Sequence, residues 1–366
     1  MEGKIEMEIP KKMKAAHLMA RGKVEVKTTE VPEPGPGEVL IRVEACGICG
    51  TDVEVKEHGM PGQPPFGEHF IMGHEYAGVV VKLGETVDEF KVGDRVAVEV
   101  HKGCGRCHNC IMGNYTACLN YGKKEKGHAA KGMTVDGGFA EYTVNHINTL
   151  YKIPDQISFD HAALITTAGC AFFAYDVVGG YVAGDTIAII GPGPIGLALA
   201  QAGKALGVEK VILIGTRQGR LELGKEMGAD YIVNIKEGED PIALARELTD
   251  GLGADVVFDA AGVSSSLETS LDLVRPGGNI VMVAFYHDPV TVNMSKAVKR
   301  NVQLHTVRGE GRRNVGRALS MAVQNKIDLT PLITHCFPLK DINKAFETYV
   351  NRIDNALKVI IHPQEE

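Results

Sequence analysis

Four thiols crowd into the segment Gly103-Cys104-Gly-Arg-Cys107-His-Asn-Cys110-Ile-Met-Gly-Asn-Tyr-Thr-Ala-Cys118. Tetrahedral zinc takes four thiolates, and short C-x-x-C arms wrap one ion without strain. With all four positions filled by protein, such an ion is structural rather than catalytic. A disulfide pair or an iron–sulfur cluster is the alternative use of these thiols. Free thiols fit poorly, because a lobe with so few apolar residues needs something to hold it. His101 and His108 flank the lobe and read as surface residues.

A second set is more dispersed: Cys46-Gly-Ile-Cys49-Gly-Thr51-Asp52 and, further on, Gly73-His74-Glu75. Cysteine, histidine and carboxylate can hold zinc while leaving a position open for water or substrate. His74 and Glu75 are adjacent, so an extended strand would point them to opposite faces. Both reach one ion only if the backbone bends, which Gly73 permits. Taken alone, His74 also reads as a satisfied core histidine, and Cys46 with Cys49 as a redox pair or two small buried hydrophobes.

The third set is Thr186-Ile-Ala-Ile-Ile190-Gly191-Pro-Gly193-Pro194-Ile195-Gly196-Leu-Ala-Leu-Ala-Gln201. An apolar, β-branched run stops at glycine, glycines follow at G-x-G-x-x-G spacing, and helix formers come next. That is strand, tight turn, helix. Gly191 turns the chain, Gly193 leaves room for a pyrophosphate, and Gly196 lets helix and strand pack closely. The phosphate rests on the N–H groups of the helix start that opens with Pro194 and Ile195. A second strand, Val211-Ile-Leu-Ile214, follows at βαβ distance.

The elements that must carry these residues are legible in outline. At 366 residues the chain suggests two domains, given roughly 100–200 residues per domain. Hydrophobic content of 44% and charged content of 23% suit a globular protein with a large core. A net charge of −7 argues against a nucleic-acid or acidic-membrane binder. No apolar run is long enough to span a membrane. The N-terminal Met1–Pro10 alternates charged with apolar residues and lacks a signal peptide's apolar core. A soluble, cytoplasmic protein is expected, and its eight clustered cysteines then point to metal rather than disulfides. Short strands are expected at 14–19, 24–26 and 38–45, with a proline- and glycine-rich loop at 31–37. Buried strands are expected at Ala254–Asp259 and Gly278–Ala284, a helix at Asn314–Gln324 and a closing strand at Leu357–His362. Asp259 reads either as a ribose contact or as an ordinary strand-end acid.

The Cys49-Gly-Thr51-Asp52 box, Gly67-Glu-His-Phe-Ile-Met-Gly73-His74-Glu75-Tyr-Ala-Gly78 and the four-cysteine lobe resemble the zinc-containing medium-chain dehydrogenases, the alcohol, sorbitol and threonine dehydrogenase relatives. The polyol and threonine branch is the nearest in flavour. The resemblance continues through Gly93-Asp94-Arg95-Val96, Gly137-Gly138-Phe139-Ala140-Glu141-Tyr142, the glycine fingerprint and Pro331-Leu-Ile-Thr334-His335. It implies an α/β chain with a GroES-like irregular β-barrel catalytic domain over 1–160 and 300–366. That domain would carry a structural zinc lobe at about 101–120, and a Rossmann-fold NAD(P)-binding domain would span 161–299. It implies that Cys49, His74 and Glu75 bind a catalytic zinc and that Cys104, Cys107, Cys110 and Cys118 bind a structural one. Thr51 would relay the substrate's hydroxyl proton.

Two departures stand out. Where the family usually carries a further zinc ligand, this chain has Thr166, a poor one; Cys170 lies one helical turn further on. Glu54 stands where relatives often carry a histidine that ends the proton relay, so the proton is expected to leave through ribose or water. In the nucleotide half, relatives that use NAD place an acid after the second strand to hold the ribose 2′-hydroxyl. Here the stretch is Gly215-Thr216-Arg217, with Arg220 beyond. Glycine removes the acid that would repel a 2′-phosphate, Thr216 offers a hydroxyl and Arg217 a charged donor fork. The pattern resembles the Gly-Ser-Arg signature of NADP users and makes NADP the expected cofactor, with NAD the alternative.

The function expected is hydride transfer between the nicotinamide and a secondary alcohol or polyol, or the corresponding ketone. The pocket is expected in a cleft between the domains. Two rivals remain: a zinc-free quinone or enoyl reductase of the same superfamily, and a catalytically silent nucleotide-binding regulatory protein. Relatives of this kind imply a homodimer or homotetramer.

Overall fold

Short β-branched runs separated by glycine and proline pair as antiparallel strands in the first part of the chain. In the computed structural model, which describes residues 8–311 and 313–365, Lys12–Ala20 and Lys23–Glu30 form a hairpin. The N-terminal charge pattern at 1–7 lies outside the described residues. Glu38–Gly47 is the hub of this region. It pairs antiparallel with Glu75–Leu83, Tyr142–His146 and Lys358–His362, the last brought from the far end of the chain. The loop expected at 31–37 has neither helix nor strand.

The chain folds as two units, one of Met1–Thr166, Gly311–Leu319 and Leu329–Glu366, the other of Thr167–Glu310 and Ser320–Asp328. The core of the first unit gathers Leu18, Ile41 and Tyr76 from its strands, Ile48, Met72 and Phe139 from the segments between them, and Phe346 from the helix Ile342–Asn351. The expected helix at 314–324 forms as Asn314–Val323.

The second unit is built on six parallel strands: Thr186–Ile190, Lys210–Gly215, Tyr231–Asn234, Ala254–Asp259, Val274–Met282 and Gln303–Thr306. Numbered as they occur, they lie in the order 3-2-1-4-5-6, the doubly wound dinucleotide-binding arrangement. Ala188, Ile212, Ile214, Val257 and Ile280 supply the apolar runs that a sheet covered on both faces needs. The strand expected at 278–284 begins earlier, at Val274. Its register jumps, so that Ala254 faces Val274 while Val256 faces Asn279. Pro276-Gly277-Gly278 is accommodated in that irregularity, with Gly277 at φ +72. No helix among the described residues is long and apolar enough to cross a membrane.

Candidate active site and metal centres

Cys49 precedes the helix Gly50–Glu57, and Asp52 sits in its first turn. One Asp52 oxygen accepts the Cys49 N–H at 2.9 Å, which closes the turn and fixes the cysteine's direction. The other accepts the Gly73 N–H at 3.2 Å and lies 3.1 Å from His74 Nδ1. Asp52 thus ties the cysteine loop to the histidine loop and leaves Nε2, on the Cys49 side of the ring, for ligation.

The bend expected at Gly73 is present. Its φ is +90, and a Cβ there would lie within 2.9 Å of Phe139 and Cys46. The chain turns between Phe70–Ile71 and the strand that starts at Glu75. As a result, adjacent His74 and Glu75 converge. One donor atom each from Cys49, His74 and Glu75 lie within 4.8 Å of one another.

Lys358, almost wholly buried, pairs with the buried Glu75 carboxylate. Burial opposes the charged ammonium, but Glu75 and Cys49 hold its pKa above the ordinary lysine value. Burial likewise opposes a charged His74, yet the Asp52 carboxylate and Cys49 raise its pKa well above the usual range. The pocket therefore draws positive charge. With His74 neutral as a ligand and Cys49 as thiolate, the thiolate and the Asp52 and Glu75 carboxylates outnumber the Lys358 ammonium by two charges, which a divalent cation balances. Sulfur, imidazole nitrogen and carboxylate oxygen are the donors zinc takes, so the residues present fit a zinc ion.

Thr51 Oγ1 lies 3.9 Å from Cys49 Sγ. The Thr166 hydroxyl is buried and donates to Val98 O at 2.9 Å, so backbone already uses its hydrogen. Asp52 and Lys358 were not singled out by sequence reasoning. Asp52 had a local signal, an acid at the third position of a helix. Lys358 had none, because only strand pairing brings it to Glu75.

In the cysteine lobe all four sulfurs lie within 4.8 Å of one another. Cys104 and Cys110, and Cys107 and Cys118, are each 3.9 Å apart. A disulfide needs about 2.05 Å, and all four cysteines are free thiols here. Zinc–sulfur bonds of about 2.3 Å in a tetrahedron give edges near 3.8 Å, so the spacing fits one ion. The Asn120 amide, 3.2 Å from Cys104 Sγ, lowers that thiol's pKa to about 6, whereas burial pushes Cys110 up to about 12. Four thiolates cannot coexist there without a cation between them. Ile111, Met112 and Leu119 are exposed, so little apolar core holds the lobe. His108 is exposed as expected, but His101 is not a surface residue and must be corrected. It is buried, because its strand pairs with Ala129–Ala130 and Tyr121 stands over it with ring centroids 6.3 Å apart.

In the second unit, the fingerprint glycines take three different environments. Gly191 has φ +106. Gly193, before the helix Pro194–Ala205, has nothing within 4 Å of a Cβ position, and Gly196 would drive a Cβ to 2.0 Å from Gly191 O. Pro194 and Ile195 open the helix, whose first N–H groups need partners. A Cβ at Gly215 would meet the Pro192 ring at 2.6 Å, so no acidic side chain fits without displacing it. Thr216 and Arg217 are exposed and Arg220 is half-buried. Asp259 is fully buried and satisfied internally. It accepts Ala261 N–H at 3.0 Å and Gly262 N–H at 3.2 Å, and the Ser266 and Tyr286 hydroxyls besides. It is an anchor of the strand end.

The family profile described as "Alcohol dehydrogenase GroES-like domain" matches residues 35–155, and that described as "Zinc-binding dehydrogenase" matches residues 194–324. The chain is 34% identical to the L-threonine 3-dehydrogenase of Thermococcus kodakarensis, over 93% of this chain and 95% of that protein. It is 32% identical to the sorbitol dehydrogenase of Bacillus subtilis, over 97% of this chain and 98% of that one. Among solved structures it resembles a protein described as a zinc-binding dehydrogenase from Sinorhizobium meliloti 1021 bound to NADP. That likeness has a TM-score of 0.85 and 30% identity, and covers 96% of this chain and 99% of that one. A GroES-like profile on the β unit, a dehydrogenase profile on the dinucleotide-binding unit and full-length relatives agree, and the chain belongs to the zinc-containing medium-chain dehydrogenases of the alcohol dehydrogenase superfamily.

Proposed function

We propose that this zinc-dependent alcohol or polyol dehydrogenase binds its catalytic zinc through Cys49, His74 and Glu75, holds a second, structural zinc at Cys104, Cys107, Cys110 and Cys118, and uses NADP. The observation that carries the reading is the convergence of three zinc-type donors from two loops onto one point. The zinc would supply Lewis acidity toward a substrate hydroxyl oxygen and the nicotinamide would accept the hydride. The protein's own groups do the rest. Asp52 orients the His74 ring, and Lys358 balances the charge of Glu75. Thr51 Oγ1 takes the proton that the substrate hydroxyl releases and passes it to ribose or water.

The second unit would bind the cofactor with Gly191, Gly193, Pro194, Ile195 and Gly196 around the pyrophosphate. Thr216, Arg217 and Arg220 would hold the 2′-phosphate, where Gly215 leaves no room for a competing acid. The first unit would be the catalytic domain. The substrate is a small alcohol, polyol or the corresponding ketone, and the assembly a homodimer or homotetramer.

A panel of polyols, amino alcohols, sugar acids and secondary alcohols, assayed with NADP and with NAD, tests the reading. Higher kcat/KM with NAD would sink the cofactor assignment. One zinc per fully loaded chain would sink the two-metal assignment. Activity surviving removal of the catalytic metal would favour a zinc-free reductase, and tight NADPH binding without turnover a silent regulatory protein. Thr51→Val should lose about 10²–10⁴ in kcat with its zinc content intact, while Thr51→Ser keeps most of it; equal activity of the two variants would remove Thr51 from the relay.

A further inference from the structure

A third group of zinc-type donors lies in the first unit and shares no residue with the two centres described. One donor atom each from Asp160, Cys336 and His362 lie within 4.8 Å of one another. The topology explains the meeting. Ile333–Pro338 and Lys358–His362 are parallel neighbours in which Cys336 faces Ile360 and Pro338 faces His362. Side chains alternate along a strand, so His362, two residues beyond Ile360, projects from the same sheet face as Cys336. The short helix Phe159–Ala163, capped by the Ser158 hydroxyl on His161 N–H at 3.1 Å, brings Asp160 to that face.

The His362 ring is held at both nitrogens. Nε2 is 2.8 Å from Asp160 Oδ1, and Nδ1 is 3.3 Å from Glu365 Oε1. Glu365 on Nδ1 stands where a ligating histidine has the outer carboxylate that fixes ring and tautomer, and an ion between Nε2 and Asp160 would replace the hydrogen bond there. The thiol sets the group apart from a plain ion pair, since an ion pair has no use for it. Asp160 and Glu365 set two carboxylates beside the imidazole and the thiol, a local excess of negative charge that a divalent cation balances.

We propose that Asp160, Cys336 and His362 form a third, peripheral binding site for a zinc-class divalent cation, with Glu365 orienting the imidazole. Sulfur, nitrogen and oxygen donors together suit a borderline-soft ion and not magnesium or calcium. Binding replaces the thiol proton and any imidazole proton, so these are released to solvent. Cys336 is exposed, and so the ion exchanges with solution more readily than one enclosed by four thiolates.

The test uses the full-length protein, loaded with zinc, dialysed against a weak chelator until two zinc equivalents remain, so that the exposed third site is emptied, and then titrated with Co2+. Cobalt ranks below zinc in affinity, so it fills vacant positions rather than displacing zinc from thiolates. Thiolate-to-cobalt absorption should rise to one equivalent in the wild type, vanish in Cys336→Ser and need about tenfold more cobalt in His362→Gln. As a check that needs no substitution, Zn2+ should slow iodoacetamide alkylation of Cys336 in the wild type about tenfold, followed by peptide mass spectrometry. Cobalt absorption that persists unchanged in Cys336→Ser, or alkylation of Cys336 at the same rate with and without metal, overturns the site.

Discussion

At position 52 a buried carboxylate serves the Cys49 N–H, the Gly73 N–H and the His74 ring at once. Asp52→Asn keeps the size but lets the amide present N–H where the ring needs an acceptor, so His74 loses its fixed tautomer. Outer partners of this kind are worth about 10- to 100-fold in metal affinity, and that loss is expected for zinc, measured by competition with a chromophoric chelator. Unchanged zinc affinity would reduce Asp52 to a helix cap. The same logic applies to the nucleotide end. A hydrogen bond to a charged group is worth about 1.5–3 kcal/mol, so Arg217→Ala should cost roughly 10- to 100-fold in kcat/KM with NADP and little with NAD. An equal loss with both cofactors would mean that Arg217 does not read the 2′-phosphate.

The loop carrying His74 shows why element geometry matters as much as ligand identity. Gly73 sits at φ +90 with Phe139 and Cys46 already against its Cβ position. Strain at positive φ and overpacking each cost about 1–3 kcal/mol. Gly73→Ala should therefore lose at least about 2 kcal/mol in urea unfolding and release zinc from the catalytic centre first; a loss under 0.5 kcal/mol, the range of an ordinary surface substitution, would contradict the bend. This turn was legible in the sequence because adjacent ligands demand it and glycine permits it. The fingerprint was legible for the same reason: Gly191 at φ +106 and Gly196, packed against Gly191 O, each meet a steric need that no other residue serves, while Gly193 faces open space. What stayed hidden is tertiary. Lys358 reaches Glu75 only after the last strand pairs with Glu38–Gly47. His101 reads as a polar residue beside an exposed lobe until the Ala129–Ala130 strand and Tyr121 cover it. Periodicity reports which face of an element is apolar, not which distant element covers it.

Across the whole molecule, stability couples to pH through a buried lysine. Lys131 is 9% exposed and its Nζ donates to Val144 O at 2.8 Å. Burial lowers its pKa to about 8, against the pull of Asp136 and Glu38 and with a small push from Lys124. An unfolded lysine titrates near 10.4. Between these values the unfolded chain binds more protons than the folded one, so stability rises as pH climbs from about 8 toward 10.4. Below pH 8 the buried ammonium costs roughly 3 kcal/mol, at about 1.4 kcal/mol per pKa unit. Lys131→Met removes that cost together with one hydrogen bond of about 1 kcal/mol. The variant should therefore be about 2 kcal/mol more stable at pH 7 and lose its advantage by pH 10, where the neutral amine keeps its bond to Val144 and the wild type draws level or ahead. Urea unfolding of both proteins at intervals from pH 7 to 10 reads the gap directly. A gap that stays constant over that range would mean that Lys131 keeps its proton in the folded chain and that Asp136 and Glu38 outweigh its burial.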